Sequence, residues 1–218
     1  MHLAPDTQDT LEFAVSLANS SPGASRSGLD EIATVGHLGA FLARWSYSGR
    51  IDHNAAELDE VRQTRAAIQG LWSLGIDDAV EAINGLLLEA RALPHLARHD
   101  GSPWHLHATE PDAPLAERIE VEVALALVDV IRSGETERLR LCAADDCSGL
   151  LVDLSRNGSK RFCSIRCGNR MNMVAFRERA AEKGPQVDEV AQRRYRDPRH
   201  DTGALSLRTK PLLDRRGR

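Results

Sequence analysis

Cys142, Cys147, Cys163 and Cys167 are the only cysteines in this 218-residue chain. They fall in two close pairs, C-x4-C and C-x3-C, with fifteen residues between the pairs. Two thiol pairs separated by a loop suit a tetrahedral zinc ion, because each pair supplies one edge of the tetrahedron. An ion sharing four thiolates has no open coordination position, so such a site builds structure and does no Lewis-acid chemistry. Neither pair has the C-x-x-C spacing of thiol oxidoreductases. One structural zinc is therefore expected, contributing on the order of 10 kcal/mol to holding so small a module together.

The residues around the cysteines support this reading. Leu150, Leu151, Val152 and Leu154 predict a short strand, Lys160, Arg161 and Phe162 a second, and Asn157-Gly158 a hairpin turn between them. Ser164 is placed to cap a helix that carries Cys167 in its first turn and runs to about Lys183, where Gly184-Pro185 stops it. Knuckle, hairpin and helix make a treble-clef-like arrangement, with the last thiolate at a helix N-terminus. Phe162 and Phe176 are expected to form the module's small core. Gly168 is expected to let the helix backbone pass close to a zinc-bound sulfur.

Cys167-Gly168-Asn169-Arg170, preceded by Asp153-x-Ser155-Arg156-Asn157 and Arg161-Phe162-Cys163-Ser164, resembles the CGNR zinc-finger family of bacterial proteins. A more diffuse resemblance, on Val61-Arg62-x-x-Arg65-x-x-Ile68, Ile83-Asn84-x-Leu86 and Leu139-Arg140-x-Cys142, is to the ABATE domain that precedes the finger in that family. The resemblance implies a transcription regulator with a mainly helical N-terminal domain and DNA as the partner of its finger. This chain has Met171-Asn172-Met173 where the family usually has a basic residue.

Read in order, the chain opens with an apolar segment of open type. Leu11, Phe13, Val15 and Leu17 alternate as in a strand, while Leu11, Ala14, Val15 and Ala18 make a helical stripe. A Ser/Gly-rich loop follows, and then Thr34 caps a helix with Leu38, Phe41, Leu42 and Trp45 on one face. Ala55 to Trp72 carries a similar stripe. Asp77 or Asp78 opens a helix that ends at Pro94. Ser102 to His107 alternates between breakers and predicts a strand or hairpin. Glu117 to Arg132 also alternates, but its length and lack of Gly or Pro predict a helix deep in the core. Trp45, Trp72 and Trp104 are expected in the core. His105 and His107 share a strand face without a nearby third metal ligand in sequence, and read as exposed or ligand-lining. The fold class is thus mainly α: an acidic helical domain with a short β-hairpin (1–137), the zinc module (138–183) and a basic, flexible tail (184–218).

Charge divides along the same line. Residues 1–137 hold nine Arg, no Lys and 22 acids, whereas 138–218 hold 19 basic residues against ten acids. A basic module on an acidic body points to a polyanion partner, or to attraction between the two halves. Arg156, Lys160, Arg161, Arg166, Arg177 and Arg179 are candidate phosphate contacts, some of which would instead offset zinc–thiolate charge. Asn169 and Arg170 would either reach DNA or brace the hairpin. The competing reading is a zinc-stabilised protein-interaction module without DNA binding. For the helical domain a sensing role with a small-molecule effector, or a homodimer, is the expectation.

No enzyme signature is present: H-x-E with P-C-x-x-C, a Gly-rich phosphate loop, G-x-S-x-G and H-E-x-x-H are all missing. No apolar run approaches a membrane span and Met1–Asp9 has no signal-peptide pattern. Thiols in metal-type spacing suit a reducing cytoplasm.

Overall fold

The computed structural model describes residues 3–45, 47–98 and 104–182. The expected Gly184-Pro185 helix stop and the basic tail lie outside the described residues. The chain forms two compact units, Met1–Val174 and Ala175–Arg218. Of the second, the described part is the end of one helix. The fold is mainly α, as expected. No described helix is long and apolar enough to cross a membrane.

The opening segment is a helix, α1 (Pro5–Ala18), with Pro at its first position and Asp6 in its first turn, both favourable there. It alternates because it is buried on two sides. Phe13 stacks with Phe41, Trp45 and Tyr47 at ring-centroid distances of 5.2 to 5.7 Å, while Leu11, Leu17 and Ala18 are fully buried elsewhere. Helix α2 (Val35–Arg44) starts where Thr34 accepts the His37 N–H at 3.1 Å. Helix α3 (Ala55–Trp72) is capped by Asn54 and buries Leu58, Val61, Arg65, Ile68 and Trp72 as its periodicity requires. Helix α4 (Ile76–Glu89) buries only Ile83. Two three-residue strands, β1 (His95–Ala97) and β2 (His105–His107), pair antiparallel with His95 opposite His107. Trp104, expected in the core, is 64% exposed, because it sits just outside this ribbon. Helix α5 (Leu115–Arg132) packs against α1, α3 and α4, and its apolar residues point all round because it is surrounded.

A single 3-10 turn (Thr136–Arg138) leads into β3 (Leu139–Leu141), which pairs antiparallel with β4 (Leu150–Val152). The expected second strand at Lys160–Phe162 is not formed. The partner of β4 is β3, and Asp153 is the reason. Its fully buried carboxylate accepts the N–H groups of Ser155 (3.0 Å) and Lys160 (2.6 Å) and the Ser155 hydroxyl (2.5 Å). That closes residues 153–160 as a carboxylate-centred loop, with Gly158 at φ 57°. Burial raises the Asp153 pKa, but the Ser155 hydroxyl and these amides outweigh it, so the carboxyl sits below its ordinary range. Helix α6 (Ile165–Glu182) follows the last knuckle. Phe176, on its part in the second unit, is 60% exposed rather than a core residue.

The loop between α1 and α2 is tied to α3 by two arginines. Arg65 is bidentate to Asp30 (2.8 and 2.7 Å) and bonds the Ser20 hydroxyl, while Arg62 donates to the carbonyls of Ile32 and Ala33. Arg65 hydrogen bonding holds the Asp30 pKa at about 2, with the Ile32 N–H assisting and burial opposing. A depressed carboxyl stabilises the fold above its ordinary value of 3.8, and that stabilisation disappears as pH falls toward 2. Asp30→Asn should therefore cost about 2 kcal/mol in urea unfolding at pH 7. The gap to the native chain should close between about pH 4 and pH 2. A gap that does not change with pH would contradict this assignment.

Candidate metal centre

The four thiols arrive from two knuckles. Cys142 and Cys147 lie on the turn between β3 and β4, and Cys163 and Cys167 lie at the start of α6. The Cys142 N–H donates to the Gly149 carbonyl at 2.7 Å, and the Ala143 N–H to the Arg161 carbonyl at 2.9 Å, which docks one knuckle on the other. Ser164 caps α6 as expected, accepting the Cys167 N–H at 3.2 Å.

All four Sγ atoms lie within 4.8 Å of one another, and none is in a disulfide. Cys147 Sγ is 3.6 Å from Cys163 Sγ, which is 3.8 Å from Cys167 Sγ. Four sulfurs at about 2.3 Å from a tetrahedral ion stand about 3.8 Å apart, so the donor set fits zinc. Amides are aimed at the sulfurs as well: Gly149 N–H toward Cys147 Sγ and Cys163 N–H toward Cys142 Sγ, both at 3.4 Å. Burial pushes the Cys163 and Cys147 thiols up. For Cys167 burial also raises the pKa, but the Ser164 hydroxyl and neighbouring sulfurs turn the net direction downward. Because burial favours the protonated form of Cys163 and Cys147, metal binding there must release protons. The protein carries one structural zinc, and these four thiols are a donor set that fits it with no position left open.

The cationic residues divide by what they touch. Arg170 braces the cluster, with Nη2 2.5 Å from Asp146 and 3.6 Å from Cys167 Sγ, while its Nε is buried without a hydrogen-bond partner among the described residues. The Arg166 guanidinium donates to the carbonyls of Ser25 (3.1 Å) and Arg26 on the loop between α1 and α2. Lys160 is exposed, with Nζ 3.3 Å from the Val152 carbonyl. Arg161 is exposed with its guanidinium 5.6 Å from the Phe162 ring centroid, and Arg156 and Asn169 are also exposed. Arg177 and Arg179 are exposed on the part of α6 that lies in the second unit.

Gly149 is a site residue that sequence reasoning missed. A Cβ there would meet Cys163 Sγ at 2.9 Å and Cys147 Sγ at 3.2 Å, so the backbone must be bare where it passes the sulfurs. Gly168, credited with that role from the sequence, faces the Phe162 ring instead, at an ordinary 3.4 Å. Asn19 was missed too. Its amide brackets Leu150, accepting the N–H at 2.7 Å and donating to the carbonyl at 2.9 Å. Asn19 acts on a partner 131 residues away, and the tightest contact at Gly149 comes from Cys163 on the other knuckle, so the local pattern marks neither.

A helical body joined to a closed four-thiolate knuckle defines a zinc-finger protein. Residues 138–180 match the CGNR zinc finger family, and residues 11–134 match ABATE, described as "Putative stress-induced transcription regulator". The chain belongs to the ABATE family and carries a CGNR zinc finger after that domain. No curated protein matches it.

Gly149→Ala should weaken zinc binding by ~10-fold or more, because overpacking by one methyl costs about 1–3 kcal/mol. Gly168→Ala should change it less than threefold. Competition with a chromophoric chelator reads both constants. Equal effects would contradict the geometry.

Proposed function

We propose that this protein is a cytoplasmic, DNA-binding transcription regulator whose zinc finger grips the phosphate backbone. The observation that carries this reading is the exposure of Arg156, Lys160 and Arg161 on the knuckle loops of a module attached to an acidic body. Exposed cations near a rigid metal-held backbone give phosphate contacts a fixed register at little entropic cost. Asn169, exposed on the first turns of α6, is the candidate for base contact. Arg177 and Arg179 are proposed as phosphate contacts in their own right, on the second unit. The finger would be a domain of its own in function, residues 138–183, with the helical residues 1–137 receiving an effector or a second copy of the chain.

A second reading, a finger used for protein docking, is favoured by the partners of Arg166 and Arg170. Both guanidiniums are spent on this chain, on loop carbonyls and on Asp146, so neither is offered to a phosphate.

The two readings separate in a gel-shift titration of the zinc-replete chain across a salt series. Affinity should fall steeply with salt, and Arg156→Ala with Arg161→Ala should weaken binding ~10-fold and lower the log–log slope by about two. Arg166→Ala should leave the slope unchanged. Absence of binding at low salt by folded, zinc-replete protein would leave only the docking reading.

A further inference from the structure

The β1–β2 ribbon carries three histidines that the cysteine site does not use. His105 and His107 point from one face of β2, and their Nε2 atoms are 3.0 Å apart with ring planes at 72°. Two imidazole nitrogens bound to one ion at about 2.0–2.1 Å stand about 3.0–3.4 Å apart, so this pair is already spaced as a chelate. The far ring nitrogen of His107 is set for the same purpose. Glu122 Oε1 on α5 lies 3.3 Å from His107 Nδ1, while the Tyr47 hydroxyl donates to Glu122 Oε2 at 3.1 Å. With Glu122 beside Nδ1, the tautomer protonated at Nδ1 leaves the Nε2 lone pair to accept from His105 Nε2–H or, once that proton is released, to bind an ion, the outer-shell arrangement of metal-bound histidines.

His95 completes the group. It is the cross-strand neighbour of His107, with ring centroids 6.5 Å apart. Its Nδ1 is 2.9 Å from the Leu93 carbonyl, which can only accept, so Nδ1 carries the proton and Nε2 the lone pair. His95 is exposed, and bringing its ring onto the pair would exchange the Leu93 contact for the ion. The ribbon borders open space on both sides. A cavity of about 420 Å³ is lined by His95, His107 and Glu122, and another of about 490 Å³ by His105, His107 and Glu122.

We infer that His95, His105 and His107 form a second metal site, for an exchangeable divalent transition ion such as Ni2+, Cu2+ or Zn2+. Imidazole donors without thiolate suit these ions and not Mg2+ or Ca2+. Three histidines leave coordination positions to water and incoming ligands, whereas four cysteines leave none. The site ties β2 to α5 through Glu122 and to α1 through the Leu106 N–H on Asp6 (3.3 Å), which makes the ion an input to the helical body. It stands whether or not the finger binds DNA.

The test is calorimetric titration of untagged, zinc-replete full chain with Ni2+, alongside native mass spectrometry. One equivalent beyond the finger's zinc is expected. His105→Gln and His107→Gln should each weaken it at least tenfold, and Glu122→Gln about tenfold through loss of the outer-shell carboxylate, with the finger's zinc retained. No second equivalent, or equal affinity in the His105→Gln, His107→Gln double variant, overturns the assignment. If that variant loses its fold, selective broadening of the His105 and His107 ring proton signals by Ni2+ in the native chain decides the question.

Discussion

The structure depends on β4 being shared. Leu150, Leu151 and Val152 belong to the zinc hairpin by sequence, yet all three are buried, and Leu150 and Val152 lie in the core of the helical body. The finger's own interior is small: Cys142, Ala144 and Cys167, with Phe162 and Met171 partly covered. So small a cluster cannot offset the entropy of ordering some forty residues. The module is held from two directions, by zinc on one side and by the core under α1 on the other. Asn19 makes the junction specific. A backbone segment inserted among helices needs its amides satisfied, and this one side chain satisfies both polar groups of Leu150. Trp72 adds its indole N–H on the Leu151 carbonyl at 3.4 Å.

The α1–α2 loop is the second bearing surface, and α3 holds it in place. Arg62 and Arg65 bind the loop from below through Ile32, Ala33, Asp30 and Ser20. On its other side the Gly23 carbonyl accepts the Ser148 N–H, and the Ser25 and Arg26 carbonyls accept Arg166. The arginines that carried the diffuse ABATE resemblance thus have a mechanical role. They fix the loop against which the finger rests.

Much of this was legible where local chemistry decides. Cysteine spacing specified the metal, because four donors at two knuckles admit few alternatives. The caps Thr34 and Ser164, and the stripe from Leu58 to Trp72, placed their helices directly. Legibility failed where a distant partner decides. The type of α1 stayed open because Phe13 and Leu17 serve different neighbours. The Asn157-Gly158 signal points to a hairpin, but a buried Asp153 that gathers three donors at once closes a loop there, and β4 pairs with β3 instead. The Asp153-x-Ser155 pattern carried that information, since a short carboxylate two residues before an N–H is a turn former. Gly149 and Asn19 left no such trace. The histidine cluster needed strand pairing to bring His95 beside His107.

The central claim is that zinc and helical core support one folded unit through β4. Amide hydrogen exchange on the zinc-loaded chain and on chain stripped by a chelator tests it directly. Zinc removal should lower protection at Leu150–Val152 and also in α1, from Leu11 to Ala18, well outside the cysteine module. If only residues after Leu139 lost protection while α1 stayed as slow as before, the finger would be an independent module and β4 would not join it to the helical core.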